Sequence, residues 1–248
     1  MRTCIASLAL LASLAGVLSL SCADSTTAPA AETLPTSTSK IVFFGDSITG
    51  HRPQTEYRQH YIKFSDLTQL MAEAHVGLGG VESVNCGYAA DATFERKGQQ
   101  LPGAINRVEK DILDLKPDIA VILIGANDNA KTAEEKERTR KNLETIFGKA
   151  KKAGIKVLAL QYHEALPAPE NRDQAWWHLD DVNPLIRAAA KKHSVPTLNM
   201  NKPMQQADRK YPREQLVDPR DGVHLRPRGE MIYARAIFGR LKELGWLK

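Results

Sequence analysis

The runs Ile41 to Phe44, Ile119 to Ile124 and Ile155 to Leu160 are apolar almost without interruption. A strand with one face in water alternates apolar and polar residues, so unbroken apolarity over so short a run means burial on both faces. Two weaker runs complete the set. Val81 to Cys86 contains Glu82 and Asn85, and Val195 to Leu198 contains Pro196, which suits an edge strand. Between these runs lie segments of helical period: Tyr61 to Val76, Leu101 to Leu115, Thr132 to Ala153, Asp180 to His193 and Arg228 to Leu244. Phe64, Leu67, Leu70 and Met71 are spaced for one face of the first. Leu143, Ile146 and Phe147 form the buried stripe of the third, and Gly154 and Gly245 stand where C-terminal caps belong. Strands alternating with helices predict a parallel five-stranded sheet covered on both faces, a doubly wound three-layer α/β/α sandwich of flavodoxin-like shape. No internal repeat and no second domain are visible.

The N-terminus lies outside this pattern. Met1 and Arg2 precede a run from Ile5 to Leu20 that is almost wholly apolar or small, and Ser21, Cys22 and Ala23 follow. That is the plan of a secretory signal, and the run is short for a spanning helix of about 20 residues. Residues 1–23 are therefore expected to direct export, a retained anchor being the alternative. The run Leu18 to Cys22 resembles a bacterial lipobox with Ser19 in place of the usual Leu, so Cys22 is an expected lipid anchor, against simple cleavage after Ala23. Residues 24–39, rich in Ser, Thr, Ala and Pro, read as a flexible linker, and 40–248 as the folded domain. Cys86 is then the one cysteine of that domain, so an internal disulfide framework is excluded; with no His near it in sequence, it reads as a buried, inert thiol. The formal net charge of +5 is scattered, and its densest stretch, Lys149 to Lys152, ends a helix, where cations complement the macrodipole. No nucleic-acid partner is expected.

Ligands of a doubly wound sheet bind beyond the carboxyl ends of its strands. The chemically capable residues should therefore follow the strands, and they do. Gly45, Asp46 and Ser47 follow the first run. Asn85 to Asp91 end the second, Gly125 to Asp128 follow the third, and Asp221 to His224 lie beyond the fifth. A serine hydroxyl needs a base to take its proton, and histidine supplies one near neutrality. That histidine needs an acceptor on its other nitrogen, which Asp221, three residues before His224, can offer. Donors for a developing oxyanion are available in the backbone N–H of Ser47, an N–H of the loop after the second run, and the side-chain amide of Asn127.

These blocks resemble the SGNH/GDSL hydrolases, which carry Gly-Asp-Ser, a glycine block, Gly-x-Asn-Asp and Asp-x-x-His in that order. Here they read Gly45-Asp46-Ser47, Gly125-Ala126-Asn127-Asp128 and Asp221-Gly222-Val223-His224, across essentially the whole mature domain. The resemblance implies Ser47 as nucleophile, His224 as base, Asp221 as its orienting acid, and Asn127 as an oxyanion donor. One block departs. The family's glycine donor, five residues beyond Asn85, is Ala90 here; it still has an N–H but does not enter positive φ freely.

The expected activity is an exported serine esterase acting on small-molecule or glycan esters, short acyl groups such as O-acetyl foremost, without a cofactor or metal. Acyl transfer by the same chemistry is the alternative within the class, and a non-catalytic glycan-binding domain the alternative outside it. Taken alone, Ser47 would be a helix N-cap, His224 a surface histidine and Asn127 a turn residue; the blocks together favour the catalytic roles. Asp46 and Asp128 read as structural. His163, at the rim after the fourth run, is a candidate substrate contact. His51, His60, His75, His178 and His193 carry no motif, and Trp176-Trp177 could wall a pocket or pack under the next helix.

Overall fold

The structure, a computed structural model, describes residues 38–50, 62–166 and 179–247. The expected leader, Cys22, nearly all of the linker, and His51, His60, Trp176, Trp177 and His178 lie outside the described residues.

The apolar runs form strands β1 (Ser39–Gly45), β2 (Val81–Gly87), β3 (Ile119–Leu123), β4 (Lys156–Gln161) and β5 (Thr197–Asn199). All pair in parallel, in the order β2-β1-β3-β4-β5. The three runs of unbroken apolarity are the inner strands, with β3 buried along its whole length. The two weaker runs are the edges, which explains their polar residues and the proline: each has only one neighbour to satisfy.

Helices cover both faces. On one, α1 (Phe64–Val76) packs against α7 (Pro227–Glu243); on the other, α3 (Ala133–Lys152) lies between α2 (Ala104–Val108) and α4 (Asn183–Lys192). Two short helices, α5 (Asn201–Asp208) and α6 (Arg213–Leu216), fill the segment before the last loop, where no helix was anticipated. Local chemistry sets the ends. Thr132 Oγ1 accepts from Glu135 N at 3.2 Å while the Glu135 carboxylate accepts from Thr132 N at 2.9 Å, a capping box that starts α3. Pro184 sits in the first turn of α4, where its missing N–H costs nothing. Gly154 and Gly245 follow α3 and α7 at φ 80° and 65°.

Two expectations are corrected. The segment Leu101 to Leu115 is not one helix: Pro102 and Gly103 delay its start, and it continues as a π-helical turn, Glu109–Leu113. In α1 the buried residues are Phe64, Ser65, Thr68 and Ala72, whereas Leu70 is 58% exposed. The face is rotated because Thr68 satisfies its own hydroxyl on the Phe64 carbonyl at 2.6 Å and so can enter the core.

Candidate active site

The ends of β1, β2 and β3 and the loop before α7 deliver the parts of the site. After β1 the chain turns at once: Asp46 accepts Gly50 N on its carbonyl at 3.0 Å and Ile48 N on its carboxylate at 3.0 Å. The other carboxylate oxygen accepts the Tyr162 hydroxyl at 2.5 Å, from just beyond β4. Burial pushes the Asp46 carboxyl up to about 6, against the hydrogen bonds from Tyr162 and Ile48. Asp46 thus braces the turn that presents Ser47, which is itself half-buried. Gly87 ends β2 directly against this turn: a Cβ there would lie 2.1 Å from Gly50 N, so the close approach requires glycine.

His224 reaches Ser47 from the far end of the chain. Its Nε2 lies 2.8 Å from Ser47 Oγ, and its Nδ1 lies 2.7 Å from Asp221 Oδ2. The other Asp221 oxygen accepts the backbone N–H of Val223 at 2.8 Å and of His224 at 3.0 Å. Burial works to raise the Asp221 carboxyl, but the hydrogen bonds from His224 and the loop amides outweigh it and hold the group below 3.8. The loop is itself pinned, by Asp218 N on His224 O at 2.8 Å and by Leu166 N on Gly222 O at 2.8 Å. Asp, His and Ser therefore form one continuous hydrogen-bonded line, the arrangement by which a base activates a hydroxyl.

Comparisons with known proteins give the family. Residues 43–232 match the model of the GDSL-like Lipase/Acylhydrolase family. The chain belongs to that family. It is a carboxylic-ester hydrolase. A lipoprotein of Bacillus subtilis strain 168, YqeF, is 26% identical over 226 residues, covering 79% of this chain and 87% of the relative. Among solved structures, LAE5, an α/β hydrolase enzyme from the metagenome of Lake Arreo, is similar with a TM-score of 0.63 at 22% identity. Axe2, an acetylxylan esterase from Geobacillus stearothermophilus, is similar with a TM-score of 0.62 at 21% identity. Each covers 86% of this chain and 97% of its own.

Ala90 and Asn127 of this GDSL hydrolase follow β2 and β3. Ala90 is exposed and holds φ 58°, the left-handed conformation that a glycine would adopt without cost and that costs an alanine roughly 1 kcal/mol. Arg96 donates to its carbonyl. Asn127, in the 3-10 turn Ala126–Asp128 after β3, donates one amide hydrogen to Asp91 O at 2.9 Å, leaving the second hydrogen of the same nitrogen for a ligand. Asp128 is structural, as expected: its carboxylate accepts Thr93 N at 2.7 Å and the Thr139 hydroxyl at 2.6 Å.

His163 is placed differently from the expectation. It follows β4, but its side chain turns inward and is 0% exposed, with Nδ1 2.6 Å from the Tyr233 hydroxyl. A ring sealed in the core offers no surface to a substrate. Burial, assisted by the nearby His224, lowers it to about 4. Cys86 is buried at the end of β2.

Three functional neighbours escaped sequence reasoning. Tyr162 stands at a strand end, where the rim rule could have found it. Asp91 lies within a block already singled out. Arg107 is 7% exposed in a helical stripe otherwise apolar, and its signal was the Asp four residues on, Asp111, which marks a paired buried charge.

Proposed function

We propose that this chain is an exported serine esterase that removes short acyl groups, O-acetyl groups on carbohydrate foremost, through an acyl-enzyme. The observation that carries the reading is the line Asp221 Oδ2, His224 Nδ1 and Nε2, Ser47 Oγ, with separations of 2.7 and 2.8 Å. Ser47 attacks the ester carbonyl as His224 Nε2 takes its proton. Asp221 accepts from Nδ1 and stabilises the imidazolium that forms. The oxyanion is held by the N–H of Ser47, the N–H of Ala90 and the amide of Asn127. His224 then protonates the leaving alcohol, and the same groups in reverse let water release the acid. No step calls for a cofactor.

Substrate class and location rest on further observations. The likeness in fold to an acetylxylan esterase supports an acetylated glycan as substrate, and no long apolar lid segment is visible in the sequence. Residues 1–23 hold the export signal and its cleavage point before Cys22, 24–39 act as a tether and 40–248 as the enzyme. Cys22 carries the lipid, a reading supported by the relative described as a lipoprotein.

The test is hydrolysis of p-nitrophenyl acetate and of longer-chain homologues, then of acetylated xylooligosaccharides, by wild type and Ser47→Ala. Turnover should fall with chain length, and Ser47→Ala should lose at least about 10⁴-fold in kcat with its melting temperature kept. Wild-type rates in a contaminant-free Ser47→Ala preparation would overturn the assignment.

A further inference from the structure

Asp91 bonds both to the turn that carries Ala90 and to Asn127. Its N–H donates to Tyr88 O at 3.2 Å, closing the turn that contains Ala90. Its carbonyl accepts the Asn127 amide at 2.9 Å. Its carboxylate accepts Gly103 N at 3.0 Å and Arg107 Nε at 2.9 Å, and pairs with Arg107 Nη2 at 2.8 Å.

Arg107 extends this frame to the nucleophile. Nη2 also donates to Gly45 O and Nη1 to Cys86 O, each at 3.1 Å, and Nη1 reaches Asp111 Oδ2 at 2.5 Å. The guanidinium thus hydrogen-bonds through all three of its nitrogens, to Asp91, Asp111 and the two strand-end carbonyls. The Gly45 and Cys86 carbonyls belong to the ends of β1 and β2, and Gly45 lies two residues before Ser47. The guanidinium also lies 4.4 Å from the Phe44 ring centroid, which fixes its plane. Such a planar fork, bonded on every nitrogen, is an accurate spacer between two backbones, and a lysine could not replace it.

The two side chains are buried, Arg107 at 7% and Asp91 at 0% exposure, so neither meets the substrate. What they can do is hold the groups that do. Ala90 occupies a strained left-handed conformation immediately before Asp91, and strain of that kind persists only where the surroundings over-determine it. We infer that Asp91, clamped by Arg107, is the positioning residue of the oxyanion hole. Its side chain keeps Ala90 left-handed with the N–H presented to the ester, while its backbone carbonyl, which Asp91→Asn leaves in place, holds the amide of Asn127. The inference rests on the oxyanion roles proposed above for Ala90 and Asn127.

It is tested with Asp91→Asn, alone and combined with Ala90→Gly, assayed on p-nitrophenyl acetate and normalised to active sites by covalent serine labelling. Because the hole acts on the transition state, Asp91→Asn should lower kcat by about 10- to 100-fold with KM changed less than about twofold. In the chain carrying Ala90→Gly the same substitution should cost about threefold or less, because glycine adopts the left-handed conformation without the clamp. If Asp91→Asn does not fold, Arg107→Lys, which keeps the charge and loses the fork, takes its place with the same two comparisons. An unchanged kcat per active site, or an equal loss in both backgrounds, would overturn the inference. Activity surviving in Ser47→Ala would instead overturn the esterase mechanism itself, so the two failures are distinguishable.

Discussion

Ala90 carries a methyl group into a backbone region that side chains rarely enter, and Asn127 spends one amide hydrogen on the Asp91 carbonyl. Each fact has a separate consequence. Ala90→Gly removes the left-handed strain, partly offset by the greater freedom of glycine in the unfolded chain. It should raise stability by about 0.5–1 kcal/mol, read as a rise of about 1–4 °C in melting temperature. On the oxyanion role proposed for Asn127, Asn127→Ala should lower kcat by about 10²- to 10³-fold and leave KM nearly unchanged. A comparable rise in KM without a fall in kcat would assign the amide to ground-state binding instead.

Among the elements, α1 and α7 depend on one buried ion pair. Glu230 of α7 is paired with Lys63, the residue that begins α1, and its second oxygen accepts Phe64 N at 2.8 Å. The Glu230 side chain is 2% exposed, and burial raises its carboxyl despite the lysine. Removing one partner strands a charge in the core, so Lys63→Met should cost about 3 kcal/mol in urea unfolding. Lys63→Met with Glu230→Gln should recover at least about half of that, because the neutral amide still accepts Phe64 N–H without an unpaired charge. A double variant no more stable than the single one would mean that packing of the lysine stem, not charge, joins the two helices.

For the molecule as a whole, two buried groups beneath the site tilt stability with pH in opposite directions. Asp46 is raised to about 6 from 3.8, so its contribution is complete below pH 3.8 and is lost as pH rises through about 6. His163 is lowered to about 4 from 6.5, so its contribution is complete above pH 6.5 and is lost as pH falls through about 4. Each shift corresponds to roughly 3 kcal/mol. Asp46→Asn should therefore gain about 3 kcal/mol on wild type between about pH 4 and pH 7, and His163→Gln should gain on wild type in the opposite direction. Urea midpoints across that range measure both differences. A constant gap for Asp46→Asn would show that Asp46 titrates normally.

The order of strands and helices could be read from the chain because burial on two faces, burial on one face and helical period each leave a distinct residue pattern. The unbroken runs became β1, β3 and β4 at the centre of the sheet, and the mixed runs became the edges β2 and β5. The blocks around Ser47, Ala90, Asn127 and His224 could be located for a related reason: a parallel sheet collects whatever follows its strands at one rim. What the chain alone could not settle was the direction of single side chains. His163 follows a strand as Ser47 does, yet its ring turns into the core to meet Tyr233, a residue 70 positions away. Leu70 has the spacing of a core residue and faces outward, because Thr68 meets its hydrogen-bonding need within its own helix. Arg107 looks like a surface charge until Asp91, Gly45 and Cys86 converge on it. Periodicity records the average environment of a face, whereas the fate of one polar side chain depends on partners brought close only when distant segments pack.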